Sequence, residues 1–277
     1  MNKHLFLTFF VLCAINSHAQ TTPAIPYGNN PSAGHYTMVN GIRMYCEIYG
    51  QGRPLLLLHG SGGSIRSQRN RIPYFQNYFK VIAIDSRSQG KSLDSVSKHL
   101  TYDQMADDIK VLMDSLHIDS AYVWGQSDGG ILALILASKY PVKVAKLSTF
   151  GANTFPGKKA IYDEVVDMIE DTVKTTTNLQ NRRLYEMLVK EPHITTKDLK
   201  KISAPTLLMV GDRDLIKPEH TLMIFDNIPN SNLFVMPGAT HAGSSEKPDL
   251  FNMVLLNFFL QPFFKKSSVE MYTGKHS

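Results

Sequence analysis

The chain is 277 residues long, 43% hydrophobic and 19% charged, enough for one sizeable core without requiring a second domain. Its formal net charge of +5 comes from scattered residues, such as Lys143, Lys146, Lys158 and Lys159, not interleaved with aromatic side chains. That distribution argues against a nucleic-acid partner.

The first residues have the composition of an export signal. Met1-Asn2-Lys3-His4 is short and basic, residues 5–15 are apolar, and Ser17-His18-Ala19 puts small residues at a cleavage site. The expected signal peptide is 1–19, the mature chain begins at Gln20, and the expected destination is a bacterial periplasm or the medium. The apolar run is too short for stable membrane insertion, which needs about 20 residues. Cys46 is then the one mature cysteine, so an internal disulfide is excluded.

Residues 20–33, rich in Pro, Gly, Asn and Thr, read as a surface arm. Alternation over 35–39 and 42–49, around Asn40-Gly41, predicts an opening hairpin. The aliphatic run 54–58 fits a strand buried on both faces, and 81–85 fits another. Thr101 and Gln104 form a capping box for a helix with apolar Tyr102, Met105, Ala106, Ile109, Leu112, Met113 and Leu116. A strand over 120–124 leads through Gly125-Gln126-Ser127-Asp128-Gly129 into a helix over 130–140, and 147–150 is a further strand.

From 153 to 202 the pattern turns helical. Ile161, Tyr162, Val165, Val166, Ile169 and Val173 recur at helical spacing, and 184–189 forms a second short helix. This segment is expected to pack on the domain as a small lid that closes a substrate pocket. Strands follow at 206–210 and 233–236, then a helix over 248–260. The domain is expected to span 34–262, with a flexible polar tail at 263–277. Strands alternating with helices imply an α/β fold, a mostly parallel sheet covered on both faces.

Three loops carry chemistry. A serine between strand and helix is forced into a sharp turn that exposes its hydroxyl beside the helix N-terminus. Helix capping is the plain alternative for such a serine, so its partners decide. A hydroxyl needs a base and a carboxylate to orient that base. Gly211-Asp212-Arg213-Asp214 and Gly238-Ala239-Thr240-His241 each follow a strand, at the edge where open parallel sheets hold their sites. Ser127, Asp214 and His241 are the candidate nucleophile, acid and base, with Asp212 the alternative acid. His59-Gly60-Ser61-Gly62-Gly63 resembles a backbone donor loop more than a phosphate loop, since no Gly-Lys-Ser/Thr follows. The expected oxyanion hole is the backbone N–H of Ser61 and of Asp128, with His59 bracing the loop. No metal site or cofactor is expected, because the chain lacks His-Glu-x-x-His and a cysteine pair.

Together with residues 85–92, these motifs resemble the α/β-hydrolase superfamily over nearly all the mature length. Within it, Gly125 to Gly130, Ala133-Leu134, Lys139-Tyr140-Pro141 and Gly151-Ala152-Asn153 are similar to the valacyclovir hydrolase, or biphenyl hydrolase-like, family. The resemblance implies a serine hydrolase acting on small-molecule carboxylic esters. It also implies a substrate-binding role for Asp128, which matches an aspartate that holds the α-amino group of amino-acid esters. Gln126 departs from the tryptophan that family carries there. An aminopeptidase or amidase, a perhydrolase, a C–C hydrolase and a non-catalytic binding protein are the other readings of the scaffold. The motifs leave oligomeric state open.

Overall fold

The computed structural model describes residues 25–264 and 267–274. The expected signal peptide and the arm before residue 25 lie outside the described residues. The hairpin forms as expected: β1 (Gly34–Val39) pairs antiparallel with β2 (Ile42–Tyr49), and Asn40 and Gly41 take φ of 41° and 84°. Positive φ at both turn positions matches the right-handed twist of the strands, and Gly41 adopts it without a Cβ penalty.

Strands β3 (Pro54–Leu58), β4 (Lys80–Ile84), β5 (Ala121–Gln126), β6 (Val144–Phe150), β7 (Thr206–Gly211) and β8 (Ser231–Met236) complete the sheet. Among the described residues it has eight strands in the order β1-β2-β4-β3-β5-β6-β7-β8, parallel from β4 onward. Between them come α1 (Ile72–Phe75), α2 (Tyr102–Ser115), α3 (Asp128–Lys139), α4 (Asp163–Thr175), α5 (Leu179–Lys190), α6 (Thr196–Leu199) and α7 (Pro218–Asn227). The last described helices are α8 (Gly243–Glu246), α9 (Pro248–Leu260) and α10 (Ser268–Thr273).

Period-2 alternation divides the core between the two faces of the sheet. Leu56, Leu58, Ile82 and Ile84 pack with α2 and α3 on one side, while Leu55, Leu57, Val81 and Ala83 pack with α1 and α9 on the other. Leu55 to Leu58 are fully buried, each contributing about 1.5–3 kcal/mol by leaving water. The strand order reverses between β3 and β5, so the crevice for a site opens at their carboxyl ends.

Three differences from the sequence reading have local causes. The helix expected from Ile161 starts at Asp163, because Ile161 is extended and bridges to Ile216. Helix α5 begins earlier than its apolar pattern, at Leu179, where the Asn178 side chain caps the Asn181 N–H at 3.0 Å. Within 263–277, expected as a flexible polar tail with no element assigned, the structure adds α10, which carries a Ser267–Glu270 capping box.

The insertion between β6 and β7 is fastened to the body. Leu184 and Met187 join the main core, and Arg183 donates to Asp94 O at 2.7 Å and to Ser88 Oγ at 3.0 Å. The same loop is anchored from below by buried Arg87, paired with Asp108 at 2.6 Å and Asp94 at 3.1 Å. No helix of the described residues is long and apolar enough to cross a membrane.

Candidate active site

Ser127 stands between β5 and α3 with φ 52° and ψ −121°, a conformation L residues rarely adopt. Hydrogen bonds hold it there: Ser127 N donates to Phe150 O at 2.8 Å, and Ser127 O accepts from Gly130 N at 2.7 Å. The two flanking glycines are required by space. A Cβ on Gly125 would lie 2.0 Å from Gly129 O, and one on Gly129 would lie 2.2 Å from Leu58 O. Its side chain makes no capping bond to α3, so the plain capping role is not the one it fills.

His241 and Asp214 meet at the same sheet edge, where Gln126 Nε2, one residue before Ser127, donates to His241 O at 2.9 Å. His241 Nδ1 is 2.7 Å from Asp214 Oδ1, and the aspartate is fixed by Ile216 N donating to Oδ1 at 3.1 Å. The Asp214 side chain is fully buried, while the imidazole keeps 23% of its surface exposed. Asp212 instead accepts from Ala239 N at 3.2 Å and ties the histidine loop to β7. Gly151, one residue past β6, lies directly under the ring: a Cβ there would be 2.7 Å from His241 Nδ1. The neighbouring strands β5 and β6 thus bring Ser127 and the floor of the His241–Asp214 pair together at one sheet edge.

The glycine-rich loop after β3 crosses the same point, since a Cβ on Gly60 would lie 3.2 Å from Ser127 Cβ. His59 braces it. Its Nδ1 lies 2.7 Å from Gly60 O and its Nε2 accepts from Ser86 N at 3.1 Å, which fixes a neutral tautomer. Burial lowers its pKa and reinforces that state. Asp128 N is the first N–H of α3, among those a helix leaves without an internal partner.

Asp128 is 3% exposed. Burial pushes its carboxyl up to about 6, opposed by the nearby hydroxyls of Tyr102 and Ser61 and by His241. Its Oδ2 and the facing Tyr102 hydroxyl are both buried without a hydrogen-bond partner of good geometry. Such groups are costly unless something satisfies them. Tyr102 reads in sequence only as a core position of α2, because helical periodicity does not report where a hydroxyl ends.

A second group escaped the sequence pattern. Arg71, 2% exposed, lies beneath β5, and Gln126 and Ser244 join it to the histidine loop. Among the described residues, no group of three or more His, Cys, Asp or Glu side chains is arranged to hold a metal ion.

An eight-stranded sheet with a strained serine at the β5–α3 turn defines the α/β-hydrolase fold, and the chain is an enzyme of hydrolase type. The alpha/beta hydrolase fold family matches residues 53–177. Mouse "Serine hydrolase BPHL" is 27% identical over 265 residues, covering 86% of this chain and 90% of that protein. The 2-hydroxy-6-oxononadienedioate/2-hydroxy-6-oxononatrienedioate hydrolase of Klebsiella pneumoniae is 28% identical over 261 residues, covering 78% and 91%. Among solved structures, the alpha/beta hydrolase MGS-M2 from a deep-sea metagenome superposes with a TM-score of 0.76 at 20% identity, covering 84% of this chain and 100% of that one.

Proposed function

We propose that the protein is a serine hydrolase that cleaves carboxylic esters, α-amino-acid esters among them, through an acyl-enzyme. The observation that carries this is the strained Ser127 at the sheet edge where His241 Nδ1 meets Asp214 Oδ1 at 2.7 Å. Ser127 attacks the carbonyl while His241 takes its proton, and Asp214 holds the ring and stabilises the imidazolium. The N–H groups of Ser61 and Asp128 receive the oxyanion, each worth about 2.7–4 kcal/mol in the transition state. His241 returns its proton to the leaving alkoxide. Water then attacks the acyl-enzyme with His241 again as base, releasing the acid and Ser127. The insertion carrying α4 and α5 acts as a lid over the acyl group and excludes water.

Asp128 gives the reading its substrate class. A buried carboxylate beside the nucleophile, its Oδ2 without a well-aligned hydrogen bond among the described residues, attracts a substrate ammonium and repels an anionic acyl group. This disfavours the dianionic substrates named for the Klebsiella relative, although a C–C hydrolase would use the same three groups. A panel of plain and aminoacyl esters and amides, run on purified protein with Ser127→Ala beside it, tests the proposal. Turnover of the esters by wild type and its loss in the variant are expected. Undiminished turnover by the variant would refute the assignment. Export rests on residues 1–19, and N-terminal sequencing of protein recovered outside the cytoplasm is expected to begin at Gln20.

A further inference from the structure

Arg71 is a buried cation whose hydrogen-bond partners among the described residues are all neutral. Its guanidinium lies 4.6 Å from the Trp124 ring centre and 5.4 Å from that of Phe251. Its Nη1 donates to Ser67 O at 3.0 Å and Gln68 Oε1 at 3.4 Å, and its Nη2 donates to Gln126 Oε1 and Ser245 Oγ, each at 3.3 Å, and to Ser244 Oγ. Its Nε has no partner. Burial and the nearby Arg69 lower its pKa to about 10, so it stays charged at neutral pH. A buried charge without a counter-ion is expensive, and an apolar residue would fill the space at less cost.

Its partners show what the charge does. Gln126 immediately precedes Ser127, and its Nε2 donates to the backbone carbonyl of His241 at 2.9 Å. Ser244 Oγ donates to Gln126 Oε1 at 2.7 Å. An arginine can only donate, so it dictates every orientation beyond it. Its Nη2 occupies a lone pair of Ser244 Oγ, which turns that hydroxyl proton toward Gln126 Oε1. With Oε1 held from two sides, the amide has one orientation, and its Nε2 must face His241 O.

We propose that Arg71 and Gln126 are positioning residues: the arginine fixes the Gln126 amide, which pins the backbone of His241 to the nucleophile-bearing end of β5. This rests on the proposed roles of Ser127 and His241. Neither Arg71 nor Gln126 touches the reacting atoms. Their effect is to hold the imidazole in register with the serine, where a displacement of about 1 Å costs about 100-fold in rate.

The decisive variant is Gln126→Glu. Its carboxylate would pair with Arg71 and relieve the uncompensated charge, yet it cannot donate to His241 O. Gln126→Glu is expected to show a Tm at or above that of the parent together with a kcat lowered about 10–100-fold and KM changed little. Gln126→Leu and Arg71→Met are expected to lower kcat similarly, their double variant no further than the worse single, and Arg71→Lys to recover part of the loss. If Arg71→Met does not fold, the two Gln126 variants carry the test. Unchanged kcat in both Gln126 variants, or kcat losses that simply follow Tm, would overturn the inference. Fluorophosphonate labelling of the parent separates the two levels. A parent labelled at Ser127 with unaffected variants removes the positioning role alone, and a parent that is not labelled there removes the reading beneath it.

Discussion

His241 and Asp214 are 27 residues apart in sequence and 2.7 Å apart in space, joined Nδ1 to Oδ1. The carboxylate decides which ring nitrogen carries the proton, leaving Nε2 free to accept one. Asp214→Asn is therefore expected to lower kcat about 10⁴-fold through the wrong tautomer. Asp212→Asn loosens only the Ala239 contact and is expected to cost far less. Steady-state kinetics of the two variants check this, and a larger loss for Asp212→Asn would exchange their roles.

Asp128 is the residue proposed to select α-amino esters. Asp128→Asn is expected to lower kcat/KM for an α-amino ester relative to its des-amino analogue about 10–100-fold, the worth of one charge-assisted hydrogen bond. In the wild type that ratio should rise as pH rises through about 6, where Asp128 ionises, and fall again once the substrate amine loses its proton. A ratio independent of both the variant and pH would remove Asp128 from substrate recognition.

The same carboxylate carries a stability cost with a definite sign. Its folded-state pKa is raised to about 6, above the value of an unfolded aspartate, so the fold favours the protonated form. The contribution is fully present below the unfolded pKa and is lost as pH rises through about 6. Removing the ionisable group should then gain up to about 3 kcal/mol at pH 8 and little at pH 4. Thermal melts of Asp128→Asn and wild type at both values check it. A gain confined to the acidic side would contradict the assigned direction.

Gly125→Ala tests the packing of the turn itself. The added methyl would meet Gly129 O at 2.0 Å, backbone against backbone, with no flexible side chain to yield. The expected loss exceeds the about 1–3 kcal/mol typical of overpacking, and it should show in chemical denaturation as a lowered midpoint. Gly62→Ala, at an open position with φ 65°, is the control and should cost less.

The sheet and the three loops were legible because their signals are local. The Pro54–Leu58 run is uniformly aliphatic because both faces are buried, and Gly125 and Gly129 are glycines because a carbonyl occupies each Cβ position. Choosing between Asp212 and Asp214 was harder: two polar residues on one turn differ only in which way the loop points them. Helix α7 went unannounced because its buried side includes His220 and Thr221, polar residues that blur the apolar period. His220 is paid for by Thr154, whose N–H it accepts at 3.0 Å across 66 residues. Arg71 was hidden for a different reason. An arginine in a stretch that also holds Arg66 and Arg69 reads as solvated surface, and only the fold turns it inward against Trp124.

Ser127 is the proposed nucleophile, and covalent labelling reads that role at the residue itself. The protein is incubated with a fluorophosphonate, digested, and the modified peptide located by mass spectrometry. One phosphonyl group on Ser127, none in Ser127→Ala, and loss of ester turnover in step with labelling is the predicted result. Stoichiometric labelling at another residue, or full turnover after Ser127 has been modified, would contradict it.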